Sequence, residues 1–351
     1  MIFSKKEIVN PPQILLNDTP VERVFHHKHL GIYLTSNLDW SMQVSQVCLK
    51  ANRKLSVLRT VKFLSRPILD LLYKTIVRSV IDYGLPVYYS SLNLCDKAKL
   101  ERVQYNAAKI VTGALSYSSK EKLNYDLSWE TIKDRAEFLG LTIFHKIRCQ
   151  LTRPLIRSCM PAINLDQQYL LRNKSPFVDY PAFGAKFKQS FFPHFLKSYN
   201  NLPSNIKGLL FNDFKDHLAT YLKPKRHKHF NRGSKAGNNL LTQIRVGRSN
   251  LHSHSFMIGL TDNPVCTCND GNETSLHYFL KCNLFIAERQ VMFKQFEQYI
   301  PTFKSMTLKK KHDIILYGYK IDDDDFLYIN TRLTISVQDY ILKTKRFNNI
   351  Q

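Results

Sequence analysis

Apolar residues recur along this chain at two periods, and the switch between them marks its organisation. From Gln13 to Leu34 they fall in short runs broken by polar turns: Ile14-Leu15-Leu16 before Asn17-Asp18, then His29-Leu-Gly-Ile-Tyr-Leu34. Such runs read as strands. After Trp40 the step becomes three and four residues. Val44, Cys48, Ala51, Leu55 and Leu58 mark one face of an amphipathic helix. Pro67 is placed to open a second helix, with Leu69, Leu72, Ile76, Val77 and Val80 as its buried stripe and Tyr83-Gly84 as its end. A third is expected from about Asp96 to Thr112, with Leu100, Val103, Ala107, Ile110 and Val111 inward and Gly113 as its stop. A fourth begins near Ser128 and carries Ile132, Ala136, Leu139 and Ile143 through to Ile147.

Past residue 150 the long period is lost. The stretch rich in proline and aromatic residues reads as an irregular connector, ended by a short helix at about 212 to 222. Gly233, Gly237 and several asparagines then suggest a mobile, basic linker. The fold class expected is mainly α, divided as a short β remnant over 1-35, a helical bundle over 36-150, a connector over 151-222, a basic linker over 223-262 and a small α/β region over 263-351. A chain of 351 residues has room for such a division.

Charge changes this picture from a fold to a partner. Lys and Arg number 51 against 28 Asp and Glu, a formal net charge of +23. An excess of that size points to a polyanion, either nucleic acid or an anionic membrane surface. It concentrates in two places. Lys50, Arg53, Lys54 and Arg59 share the polar face of the first helix, and no acid occurs between Asp39 and Asp70. None occurs between Asp216 and Asp262 either, where Lys223, Lys225, Arg226, Lys228, Arg232, Lys235, Arg245 and Arg248 accumulate. Both are candidate phosphate-contacting surfaces. No apolar run approaches the ~18 residues of a membrane span, and the first residues lack a signal-peptide profile. Cys48, Cys95, Cys149 and Cys159 are scattered in apolar patterns and read as buried thiols of a reducing compartment, cytosol or nucleus.

The other three of the seven cysteines gather in one segment. Cys266, Cys268, His277 and Cys282 follow the spacing Cys-x-Cys-x8-His-x4-Cys. Three thiolates and one imidazole are the ligand set of a closed, tetrahedral structural zinc site, although the first step is shorter than the usual two to four. Asn269-Asp-Gly271 suits a tight turn that aims backbone amides at sulfur. Tyr278, Phe279 and Leu280 would shield the metal, packing being a commoner fate than stacking on bases. With four protein ligands no position is left open for catalysis. The histidine groups 26, 27 and 29, 227 and 229, and 252 and 254 read as surface residues, and Asp322-Asp-Asp-Asp325 as a solvated turn. No nucleophile elbow, P-loop, dinucleotide fingerprint or metalloprotease helix occurs, so self-contained catalysis is not expected.

Taken in order, several stretches resemble part of a non-LTR (LINE-type, Jockey-like) retrotransposon reverse transcriptase. They are His29-Leu-Gly-Ile-Tyr-Leu-Thr-Ser-Asn-Leu-Asp-Trp40, Leu72 to Gly84, Leu100 to Gly113, Leu127 to Arg135, Ser190-Phe-Phe-Pro193, Tyr199-Asn-Asn-Leu-Pro203 and Thr344-Lys-Arg-Phe347. The cysteine cluster sits where such elements carry a Cys-Cys-His-Cys finger. The resemblance implies a palm edge over 1-35, a thumb-like helical domain over 36-150 and a finger in 263-351, with RNA or DNA backbone as the partner and no small-molecule substrate. It also implies an aromatic-x-Asp-Asp motif and a further upstream Asp that together hold two metal ions, and no such motif occurs in this sequence. The chain is therefore expected to start downstream of the polymerase chemistry. A domesticated, non-catalytic RNA- or DNA-binding module, or a relic of the element, fits the same residues.

Overall fold

A computed structural model describes residues 1–3, 12–161, 180, 184–222, 227–320 and 323–347. Among them the chain is mainly helical, with two small antiparallel sheets. Strand β1 (Leu15–Leu16) pairs with β2 (Thr19–Pro20), and β3 (His26–His29) with β4 (Ile32–Thr35). Each hairpin turns on two residues at positive φ: Asn17 and Asp18 (48° and 62°), then Leu30 and Gly31 (46° and 84°). Left-handed turn residues match the twist of paired strands. The apolar runs of 13 to 34 are thus paired locally, yet Leu15, Leu16 and Leu30 stay exposed.

Helix α1 (Ser41–Thr60) follows the expected stripe, with Val44, Ala51, Leu55 and Leu58 buried. Helix α2 (Arg66–Leu72) opens on Pro67 and runs through a π-helical turn, Tyr73–Arg78, into α3 (Ser79–Asp82). The buried positions there are Leu69, Tyr73, Val77 and Ile81, while Leu72, Ile76 and Val80 are half-buried. A stripe at steps of four drifts about 40° per step around a regular helix. The wider π turn absorbs that drift, so the stripe moves off the expected residues. Helix α4 (Leu94–Thr112) stops at Gly113, whose φ is 62°.

The helix expected from near Ser128 to Ile147 is present and starts a few residues later, after a separate short helix. Ser128, at φ 53°, ends α5 (Lys120–Leu127). The Thr131 side chain then caps α6 (Ile132–Arg148) by accepting from the Asp134 N–H. The connector is not irregular where it is described. Helix α7 (Phe191–Asn200) buries Phe195, Leu196 and Tyr199, and α8 (Phe211–Leu222) buries Phe214 and Leu218. Pro193 lies in the first turn of α7, where no intrahelical N–H is lost. Prolines there open helices instead of preventing them.

The linker is structured too. Helix α9 (Lys235–Arg245) is capped by Ser234 and buries Leu241, Ile244 and Arg245. Next come α10 (His252–Met257), α11 (Ile286–Tyr299), α12 (Leu308–Tyr317) and α13 (Leu327–Lys343). Among the described residues after 262, strand structure is limited to an isolated bridge, Val265 to Asn272, so this region is helical and not α/β.

The chain divides into two compact units that interleave in sequence, where the linear reading laid domains end to end. Unit 1 comprises Met1–Lys54, Ile76–Gln104 and Glu130–Lys223; unit 2 comprises Leu55–Thr75, Tyr105–Trp129 and Pro224–Gln351. Within unit 1, α6, α7 and α8 enclose Phe138, Leu141, Phe144, Phe195, Tyr199 and Phe214. Gly140 makes that packing possible, since a Cβ there would lie 1.9 Å from Cζ of Phe195. Within unit 2, the core gathers Leu241, Tyr278, Phe279, Phe296, Val337 and Tyr340 from four segments. No helix among the described residues is long and apolar enough to cross a membrane.

Candidate metal centre

The fold of unit 2 brings Cys266, Cys268, His277 and Cys282 together, their ligand atoms all within 4.8 Å of one another. Cys266 Sγ lies 3.7 Å from Cys282 Sγ, and Cys268 Sγ lies 3.2 Å from His277 Nε2. A tetrahedral ion with metal–sulfur bonds of ~2.3 Å requires sulfur–sulfur edges of roughly 3.8 Å. The four residues could hold a metal ion, and their spacing is compatible with structural zinc.

Local backbone explains the convergence. The N–H of Cys266 donates to Gly271 O and that of Asn269 to Cys266 O, both at 2.9 Å, closing a turn with Asn269 at φ 58° and Gly271 at φ 100°. Glu273 N–H returns to Pro264 O. His277–Lys281 is a π-helical turn, and the Cys282 N–H donates to His277 O at 2.8 Å. That wide turn presents His277 and Cys282 on one side despite the four residues between them. Arg289 donates to the Cys282 carbonyl.

Electrostatics sort the thiols. Burial pushes Cys282 up to about 12 and raises Cys266 as well. Burial acts on Cys268 in the same sense, but the Asp270 N–H and the adjoining thiols outweigh it and hold Cys268 below the usual thiol range. His277 is lowered by burial and is therefore neutral, as a ligand must be.

The surroundings contain a pair that the spacing of ligands did not reveal. Glu273, 1% exposed, binds the Arg346 guanidinium through Nε–Oε1 and Nη2–Oε2 contacts of 2.6 Å each. It also accepts the His252 N–H at 2.7 Å. Tyr278 and Phe279 are fully buried. The Tyr278 hydroxyl meets Thr344 Oγ1 at 2.7 Å, and Tyr340 donates to the Tyr278 carbonyl. Both rings are core, unavailable to bases.

The basic residues fare unevenly. Lys50, Arg53, Lys54 and Arg59 are all exposed on α1. The first three line an open groove of about 460 Å3 beside Tyr33 and Tyr83. Lys223, Lys225 and Arg226 lie outside the described residues. Lys228 is exposed, and Arg248 is half-buried with its Nε donating to Tyr117 O. Arg245 cannot contact phosphate from where it sits: it is 6% exposed, bound to Asp126 and laid 3.9 Å over the Phe230 ring. Arg66 joins the same carboxylate at 2.5 Å, and Thr242 Oγ1 donates to it at 3.0 Å. Burial alone would raise Asp126, but Arg245 and Arg66 hold it low.

Other expectations shift with burial. His227 and His229 are buried, not on the surface. His252 and His254 lie on a helix, each with its own partner: Val265 O at 2.7 Å and Ser249 Oγ at 2.6 Å. Cys95 and Cys159 are exposed and Cys48 and Cys149 half-buried, so none is a fully buried thiol. Asp323 and Asp325 are exposed, while Asp322 lies outside the described residues. Comparison of the chain with protein-family models, curated proteins and solved structures finds no match.

Proposed function

We propose that this chain is a nucleic-acid-binding portion of a LINE-type retrotransposon reverse transcriptase, carrying a structural zinc and no polymerase chemistry of its own. The observation that carries the reading is the basic face of α1. Lys50, Arg53 and Lys54 stand exposed together on one flank of a helix whose buried stripe is core, Arg59 is exposed on its other flank, and no acid accompanies them over 40-69. A rigid set of cations of that kind binds the phosphate backbone whatever the sequence. In this reading α1 belongs to a thumb-like helical domain that holds a duplex or strand from its backbone. The Cys266, Cys268, His277 and Cys282 set holds zinc, which braces unit 2 and takes no part in a reaction. Among the residues of the basic strip, Lys228 and Arg248 remain candidates for further backbone contacts. Fluorescence anisotropy across a salt series tests this: replacing Lys50, Arg53, Lys54 and Arg59 by Gln should flatten the plot of log affinity against log salt, and an unchanged slope overturns the assignment.

A further inference from the structure

Within unit 2 a second feature is unused by that reading. A groove of about 670 Å3 lies between α5 and α12, floored by Arg245 and Val246. Its size falls within the roughly 300–1,000 Å3 of small-ligand sites. Lys310, Asp313, Ile314 and Tyr317 are spaced as one face of α12, and Glu121, Lys122 and Tyr125 as one face of α5. The two faces therefore confront each other across an open slot with a tyrosine on either side.

Charge selects the occupant. Three cations line the slot (Lys122, Arg245, Lys310) and three carboxylates (Glu121, Asp126, Asp313), so their formal charges cancel. In a chain of net charge +23 this slot is locally balanced, and it is not a phosphate cradle. A neutral, flat group with a polar edge suits it better. Arg245 supplies a counterpart for that edge. Its side chain is over nine-tenths buried, Nη1 is taken by Asp126, and Nε and Nη2, themselves buried, have no hydrogen-bond partner among the described residues. A buried donor left unmatched is costly, and a ring carbonyl or ring nitrogen would accept from it. Lys122 and Lys310 are exposed at the edges, on opposite sides, where phosphates flanking such a ring would lie.

We infer that the groove between α5 and α12 takes one unstacked nucleobase, with its ring against Tyr125 and Tyr317 and its polar edge toward Arg245. The inference rests on the nucleic-acid reading above. It adds that binding is to single-stranded nucleic acid with a base as well as a backbone component.

The test compares the full chain's affinity for a short single-stranded oligonucleotide with that for its fully abasic counterpart. Stacking of one base should favour the base-bearing strand roughly fivefold or more. Asp313→Trp, which fills the slot from an exposed position, should bring that ratio toward one while the thermal midpoint is kept, and Tyr125→Ala, at a residue 45% exposed whose ring also packs on His227, should bring it toward one as well. Free adenosine monophosphate as competitor decides the source: displacement of the base-bearing strand shows that the slot accepts a free nucleotide, and no displacement restricts it to a base on a strand. Equal affinity for both strands, or a ratio that survives both substitutions, overturns the inference and leaves backbone binding standing. Failure to bind either strand overturns the nucleic-acid reading itself.

Discussion

Arg346 grips Glu273 through two parallel contacts of 2.6 Å, tying the segment between Cys268 and His277 to the residues that follow α13. Glu273 is 1% exposed, and Arg346 also reaches Asn250 O at 3.2 Å. Two-point guanidinium–carboxylate pairs fix orientation as well as energy. The pair thus holds the ligand-bearing turn against the end of the last helix, a task that spacing of ligands alone cannot perform.

Removing Arg346 would leave the buried Glu273 carboxylate with the His252 N–H and without its guanidinium, an uncompensated buried charge that destabilises the fold. Arg346→Ala should lower the thermal midpoint by several degrees and speed the release of metal to a chelator. Arg346→Lys, which offers one contact point in place of two, should fall between. A chelator-release rate unchanged in Arg346→Ala would show that the pair does not support the centre.

Metal content gives the most direct measurement. Purified chain should carry close to one equivalent of zinc, and less than about half would count against the site. Cys282→Ser removes a fully buried thiol of the cluster and should abolish stoichiometric binding. The thermal midpoint should fall with it, because metal binding to a folded site is folding free energy.

Arg245 and Arg53 belong to the same basic total but should respond oppositely to substitution. Arg53→Gln should lower the salt slope of nucleic-acid binding by up to about one, with little change in stability. Arg245→Ala removes one of two guanidinium partners of the buried Asp126 and the Arg245–Phe230 packing, while Arg66 remains on the carboxylate; unit 2 should lose stability with no change in the salt slope. Chemical denaturation and anisotropy on the same two proteins would separate these effects.

Gly140 tests the core of unit 1. A methyl group there meets Phe195 at 1.9 Å, so Gly140→Ala should cost about 1–3 kcal/mol through overpacking. Pairing it with Phe195→Leu should recover part of the loss. Additive costs in the double variant would refute the contact.

Acid should destabilise both units through buried histidines. Burial lowers His145 from 6.5 to about 4, and likewise His229. Each binds fewer protons folded than unfolded across that interval. Their contribution is therefore complete above about pH 6.5 and is lost as pH falls toward 4. Thermal midpoints should decline over that window, and His145→Gln should decline less steeply.

Much of this was legible in the residues. The stripe of α1, the stop at Gly113, the turn at Asn269 to Gly271 and the convergence of Cys266, Cys268, His277 and Cys282 all follow from spacing within a few turns of chain. The richness of the 151-222 stretch in proline reads as irregular chain, although Phe191, Phe195 and Tyr199 stand at helical steps of four and Pro193 falls in a first turn. The stripe of α2 and α3 moved because a π turn has no signature in hydrophobic spacing alone.

By itself, the sequence determined which residues could be helix, turn and metal ligand, since those choices depend on near neighbours. Only the tertiary structure decided which charges face solvent. Arg245 and Arg53 look alike along the chain, but Arg245 meets Asp126 from 119 residues away, and α9 carries it into the core. A buried charge persists only where a distant partner compensates its lost hydration, and no local pattern records where that partner will be.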